Sequence, residues 1–404
     1  MILKTLHILC FLSFTIFIQA QTDTINTHMR VNWDKLSITG SYQNGYVYPT
    51  NVFVKGINVN STIIEDYQAF SLKLSTQTTG DRLWEQLCKA PTLGVCLYAA
   101  DFFNAKEIGY PFALYGFLNA PFFRLNRFSL NYELGFGATF NWRSFNPLTN
   151  QYNVAIGAGE TFMSDAGLNL NYELTNYIDF IVGASFSHFS NGAIKLPNFG
   201  FNTLGPKVSL KYNFYERPKF TKQVIPKFNP RNEWLVSTFV GIKNIIFDSA
   251  QINIIEKYEG VFFPVFGIST TFNRQIGYRS KFGIGMTLTY NSSINAQIAV
   301  DNNELSYVDG PISDKIQLSI YPSYELVTDK ISFILQPAFY IYRKKTKNQS
   351  PVFHQRIGLQ YHVTDDLFVG IALRDFSLHA DFIEWIFGYR INGKAYRKHD
   401  NINN

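Results

Sequence analysis

Cysteine is scarce in this chain of 404 residues, which has only three. Cys10 sits in an amino-terminal apolar stretch that reads as a secretory leader, and it is expected to be lost with it. The remaining pair, Cys88 and Cys96, is too small a set for a metal site, although it could form a disulfide in an oxidising compartment. Charge is scarce too: Asp, Glu, Lys and Arg make up 16% of the residues, few for a soluble protein of this length. The formal net charge of +6 is mild and suits a surface beside anionic lipid head groups, and no basic motif suggests a nucleic-acid partner. Beyond the leader no apolar run approaches the ~20 residues that a membrane helix needs, so helical spans are excluded. Metal-ligand spacings, phosphate-binding glycine loops and cofactor fingerprints are missing, and no cofactor is implied.

What is abundant is aromatic and alternating. Phe, Trp and Tyr make up 17% of the chain, with Tyr and Phe clustered near segment ends as in the girdles of a membrane barrel. Residues 1–20 form the leader: Lys4 gives the positive start, Ile8 to Ile18 the apolar stretch, and Ile18-Gln19-Ala20 the small-residue ending before Gln21. After it, Leu130, Tyr132, Leu134, Phe136, Ala138, Phe140 and Trp142 interleave with polar or small residues. Val208, Leu210, Tyr212 and Phe214 do the same, as do Phe282, Ile284, Met286, Leu288 and Tyr290. A soluble sandwich alternates as well, with its apolar face inward. Here the polar face is small and uncharged over long stretches while the apolar face is bulky, which suits a narrow polar interior and a lipid exterior. The expected fold is all-β, an antiparallel transmembrane β-barrel of the bacterial outer membrane.

The unit looks duplicated. Residues 215–233 break the alternation with Pro218, Pro226 and Pro230 among Lys and Arg, and read as a linker between residues 21–214 and 234–404. Asn171-Tyr172-Glu173-Leu174-Thr175 resembles Gln360-Tyr361-His362-Val363-Thr364, and aligning Gly183 with Gly370 brings Ser190 onto Ser377. Asp375 then falls at the position of His188 and Leu378 at that of Asn191, so the second copy lacks the polar set of the first. Each half has room for about eight strands, the smallest number that closes a membrane barrel. Two tandem eight-stranded barrels and one barrel of about sixteen strands both fit, with the proline-rich linker favouring two. The deciding observation is whether the strand ending near Phe214 pairs back onto the first strand.

That polar set lies at the end of one strand. Val182, Ala184, Phe186, His188 and Ser190 share a face, because successive side chains of a strand point to opposite sides. A serine needs a base to become a nucleophile, and the base needs a third group to hold its tautomer. His188 is two residues before Ser190, about 7 Å away between Cα atoms, a gap an imidazole can span. After a turn-rich stretch the next strand starts near Asn202, which antiparallel pairing places beside His188. Asn191 and the backbone of the Gly192 turn could donate to an oxyanion. Glu160 and Asp165, in a Gly-rich connection before the site strand, read as loop carboxylates that could also serve His188 if folded against it. Lys195, Lys207 and Lys211 could meet substrate phosphates, although Lys207 and Lys211 fall on the polar interior face.

His188-Phe189-Ser190-Asn191, the Pro197-Asn198 pair, Gly200 and a polar residue twelve after the serine resemble the lipid A 3-O-deacylase (PagL-like, acyloxyacyl hydrolase) family. The resemblance covers roughly Leu36 to Phe214. It implies an eight-stranded outer-membrane barrel whose His-x-Ser-Asn motif faces lipid, acting as a serine esterase on the 3-position acyl chain of lipid A. Carried over by position, Ser190 is the nucleophile, His188 the base, Asn191 and Gly192 the oxyanion hole, and Asn202 the third member. The departure is at Asn202, where the family has glutamate. An amide can orient the imidazole, as asparagine does in cysteine proteases, but it cannot stabilise the imidazolium by charge.

Asparagine at that position also occurs in the outer-membrane phospholipase A family, with its similar His-x-Ser-Asn-Gly motif. Against that family, Ala193 stands where it has arginine, and Lys195 is among the residues replacing its calcium-binding groups. The deacylase reading is therefore preferred, with lipid A or lipopolysaccharide as the membrane-borne partner and homo-oligomer formation left open. The competing class is a non-catalytic barrel or pore with a vestigial site. In the second half Asp375, Ser377, His379 and Glu384 form a decoy set, with Asp375 and His379 too widely spaced along a strand for a triad.

Overall fold

Alternating chains of this kind solve the backbone hydrogen-bonding problem of a bilayer by closing the sheet on itself. The computed structural model describes residues 35–245, 257–258, 260–347, 351–376 and 379–391. The expected leader, Cys10, Ser377 and Leu378 lie outside the described residues. In the first half the strands are β1 (Leu36–Val47), β2 (Asp66–Gln77), β3 (Thr92–Asp101) and β4 (Gly109–Leu125). They are followed by β5 (Phe128–Trp142), β6 (Thr161–Glu173), β7 (Ile178–Ser190) and β8 (Phe201–Asn213). β8 pairs antiparallel with β1 from Ser37 opposite Asn213 to Val47 opposite Thr203, and Phe214 N–H donates to Leu36 O at 3.1 Å. The first barrel is closed at eight strands.

The second half repeats the plan. Its strands are β9 (Arg231–Lys243), β10 (Phe263–Gln275), β11 (Ser280–Asn291) and β12 (Ile316–Thr328). β13 (Ile331–Tyr342), β14 (Phe353–His362), β15 (Leu367–Phe376) and β16 (His379–Ile391) complete it, and β16 pairs back onto β9. The molecule is thus two eight-stranded barrels rather than one of sixteen. β9 already begins at Arg231, inside the stretch expected as linker. Among the described residues, short helices occupy connections at α1 (Leu83–Leu87), α2 (Ile294–Asp301) and α3 (Ile312–Lys315). No helix among the described residues is long and apolar enough to cross a membrane.

Burial is inverted relative to a soluble sheet. On β8 the inward Lys207 is 6% exposed while the outward Leu210 is 58% exposed. Lumenal charge survives because it is paired: Glu133 takes Lys73 at 2.5 Å and Lys207 at 3.0 Å. At one end of the first barrel Phe102, Trp142, Phe189 and Phe201 plug the lumen, with ring centroids 5.2 Å apart for Phe102–Phe201 and 5.3 Å for Trp142–Phe189. Towards the other end lies a polar cavity of about 700 Å³ lined by Lys73, Glu133, Asp179, Lys207 and Lys211 and by linker residues Arg217 to Phe220. The second lumen is filled by ion pairs. Glu384 holds Arg374 at 2.7 Å and Arg356 at 2.6 Å, Lys281 holds Glu233 and Glu325, and the cavity beside Arg356 measures about 10 Å³.

Connections fix the orientation. Segments 48–65, 102–108, 143–160 and 191–200 join strands at the plugged end of the first barrel, whereas the other end carries two tight turns, 126–127 and 174–177, and the longer β2–β3 segment 78–91. Outer-membrane barrels carry short turns on the periplasmic side and longer loops outside. The plugged end is therefore the outer rim, and the linker belongs to the periplasmic side.

Cys88 and Cys96 are both free and buried, so the disulfide that their spacing allowed is absent.

Candidate active site

The last three residues of β7 place two polar side chains on the outer wall. Along β7 the even positions from Ile178 to Phe186 are exposed, and His188 and Ser190 continue that outward row in half-buried positions. The odd positions Ser185, Ser187 and Phe189 turn into the lumen and are buried. His188 stands opposite Ser164 of β6 on one side and Asn202 of β8 on the other.

The cross-strand partner supplies orientation. His188 Nδ1 lies 2.7 Å from Asn202 Oδ1. The second atom of that amide, Nδ2, donates to Thr50 Oγ1 at 3.1 Å, and the Asn202 carbonyl accepts from Tyr48 N–H at 2.8 Å. With the oxygen of Asn202 turned to the ring, Nδ1 carries the hydrogen and Nε2 is left as the acceptor. Gly200 permits the chain to cross the ring so closely: its φ is +77°, and a Cβ there would fall 2.9 Å from His188 Cε1.

Segment 191–200 wraps around Ser190. The hydroxyl oxygen accepts from Gly192 N–H at 3.1 Å and from Asn198 Nδ2 at 2.7 Å. Both lone pairs are thereby engaged, which leaves the hydroxyl hydrogen free to point elsewhere. Asn198 is itself held, because its Oδ1 accepts from Asn191 N–H at 3.0 Å. The loop is fastened to its neighbours as well: Phe199 and Gly200 N–H donate to Val154 and Ala155 of the β5–β6 connection, and Asn51 Nδ2 donates to Gly200 O at 3.0 Å.

Several expected positions differ. Asn191 spends its side-chain amide on Lys195 O at 2.8 Å and its backbone N–H on Asn198, so it supports the loop rather than presenting a donor at Ser190. Asn198 stands where that donor was expected. Its spacing eight residues beyond the serine carries no strand or helix periodicity, so only the resemblance could have pointed to it. Asp165 is in β6, not in a loop; its carboxylate faces the lumen and accepts from Ser187 Oγ at 2.6 Å, on the other side of the wall from His188. Glu160 is exposed just before β6. In the second barrel Glu384 is held by two arginines inside the lumen, which removes it from the decoy set. No group of three or more His, Cys, Asp or Glu among the described residues could hold a metal ion.

Comparisons with known proteins agree with this architecture. Residues 68–211 match the family model described as lipid A 3-O-deacylase (PagL), and residues 232–393 match that described as acyloxyacyl hydrolase, C-terminal domain. The chain belongs to the lipid A 3-O-deacylase (PagL)/acyloxyacyl hydrolase family. It is a β-barrel protein of the outer membrane, and its family is one of hydrolases. Among solved structures it is similar to the outer membrane enzyme PagL, at 16% identity over 43% of this chain and 97% of that one, TM-score 0.30. It is also similar to Neisserial surface protein A, at 8% identity over 44% and 97% of the two chains, TM-score 0.28. No curated protein matches the chain.

Proposed function

We propose that the first barrel is a serine esterase that removes an ester-linked acyl chain from lipid A, with Ser190 as nucleophile, His188 as general base and Asn202 as the orienting residue. The observation that carries this reading is the joint placement of the Asn202–His188 hydrogen bond and the doubly hydrogen-bonded Ser190 on the lipid-facing wall at the outer rim. Lipopolysaccharide occupies the outer leaflet, so the substrate ester reaches this rim by lateral diffusion. The family match supports lipid A as the lipid that supplies it.

In the first half-reaction Ser190 Oγ attacks the acyl carbonyl carbon while His188 Nε2 takes the hydroxyl proton. As the carbonyl oxygen becomes an oxyanion, Gly192 N–H and Asn198 Nδ2 transfer to it from the serine oxygen they occupy at rest. Collapse expels the sugar alkoxide, which receives the proton from His188, and leaves an acyl-serine. A water, deprotonated by Nε2, then releases the fatty acid and restores Ser190. Asn202 holds Nδ1–H throughout but brings no charge to the imidazolium, in keeping with a slower enzyme than one with a carboxylate there.

The test is to incubate the purified full-length chain with lipid A and weigh the lipid by mass spectrometry. Loss of one hydroxyacyl chain, abolished in Ser190→Ala, supports the reading. Fatty acid released only from glycerophospholipid would favour the phospholipase that asparagine at position 202 also suits. No turnover of either lipid would leave a non-catalytic barrel.

A further inference from the structure

The second barrel touches the first at the turn beside Ser190. Ile383 sits on the outward face of β16, in the row that continues through Trp385, Phe387 and Tyr389. Those three are 41%, 56% and 47% exposed, as lipid-facing residues are, yet Ile383 is only 7% exposed. What covers it is the turn after Ser190. A Cβ built on Gly192 would fall 2.5 Å from Ile383 Cδ1 and 3.6 Å from Cδ1 of Leu373, the residue paired with Ile383 across β15 and β16. Gly192 has φ +62° and Ala193 φ +63°, a left-handed pair that an alanine adopts at a cost. The carbonyls of that strained stretch are tied to the second barrel, since Asn244 Nδ2 donates to Ala193 O at 2.8 Å and to Ile194 O at 3.3 Å.

We propose that the outer face of β15 and β16 backs the turn that carries the Gly192 donor, with Ile383 and Leu373 packed beneath it and Asn244 holding the carbonyls that follow. This rests on Ser190 being the nucleophile. Ile383 lies beneath the turn, away from substrate, so it acts on the Gly192 N–H through packing. The lipid face of the second barrel thereby completes the site of the first.

The experiment uses the full chain in detergent with acyl esters of p-nitrophenol carrying ten and sixteen carbons, counting only hydrolysis lost in Ser190→Ala. Ile383→Ala and Leu373→Ala leave a gap beneath the turn and should lower kcat on both esters by about tenfold with the sixteen-to-ten ratio unaltered, a fraction of what outright loss of an oxyanion donor costs. Phe387→Ala lies on the same strand face about 13 Å further along, away from the turn, and should leave kcat as in the parent chain. Asn244→Ala should lower kcat on both esters with the ratio unaltered, as expected for a positioning residue. Heat-shifted mobility on a gel verifies that each variant is a closed barrel. An unchanged kcat in both Ile383→Ala and Asn244→Ala, with Ser190-dependent hydrolysis intact, overturns this proposal and leaves the esterase standing. Absence of Ser190-dependent hydrolysis in the parent chain overturns the esterase itself, and this proposal with it.

Discussion

His188 and Asn202 occupy directly paired positions of β7 and β8, and their side chains meet at 2.7 Å between Nδ1 and Oδ1. The contact is therefore set by one rung of the sheet, not by a flexible loop. What the rung lacks is charge. Asn202→Asp should raise kcat about tenfold by stabilising the imidazolium formed during acyl transfer, whereas Asn202→Leu, which frees the ring to rotate, should lower it by about 10² or more. Acyl release followed by mass spectrometry reads both, and a slower aspartate variant would show that Asn202 does not orient the base.

Thr50 Oγ1 accepts from Asn202 Nδ2 at 3.1 Å and anchors the amide on the side away from the imidazole. Thr50→Val should cost about threefold to tenfold in kcat in the asparagine background and less when position 202 is aspartate, which has no amide to turn over. A double-mutant cycle measures this, and equal losses in both backgrounds would remove Thr50 from the chain of orientation.

Ser190→Ala and His188→Ala should each abolish acyl release by about 10⁴-fold or more, and the double variant should be no worse than either alone, because the two groups act as a unit. Additive losses would mean that they serve separate steps.

Asn198→Ala removes one of the two donors resting on Ser190 Oγ. The expected loss is about 10² to 10³ in kcat with KM little changed, the scale of an oxyanion-hole donor. A loss confined to KM would assign Asn198 to ground-state binding instead.

Both thiols are enclosed, Cys88 at 3% exposure and Cys96 at 0%. Cys88 caps α1 at the periplasmic end, and burial pushes its thiol above the ordinary range, so less thiolate is present at any given pH than in an exposed cysteine. Iodoacetamide at pH 8 should leave Cys88 and Cys96 of the folded chain unmodified and label both once it is unfolded. Rapid labelling of the folded chain would show an open periplasmic end.

The strands were legible because a barrel wall imposes a period of two and because polar and apolar residues part cleanly between lumen and lipid. Leu130 to Trp142 and Val208 to Phe214 announce β5 and β8, and the chemistry of His188 and Ser190 stands out because polar groups on a lipid face are rare. Asn202 was legible for a simpler reason: antiparallel pairing puts the start of one strand beside the end of the last. Asn198 and the lumenal place of Asp165 were harder. The first depends on a loop path that has no periodicity, and the second on β6 starting at Thr161, earlier than the Gly-rich segment suggests. Ile383 was out of reach. Its role depends on two distant parts of the chain docking side by side, and nothing local in Phe382-Ile383-Glu384 encodes that.

The linker grips the first barrel at its periplasmic mouth. Arg217 pairs there with Glu173 and Asp179, and Gln86 Nε2 reaches Thr221 O at 2.8 Å. Asn244 fastens the opposite rim. Tyr278 of the second barrel donates to Pro226 O of the same linker at 3.0 Å, so the two cylinders are tied at both ends, which opposes their swinging apart like a hinge. On the proposed reading, a lipid then approaches Ser190 from the flank of the first barrel that the second leaves uncovered, past a wall held in place rather than a moving part.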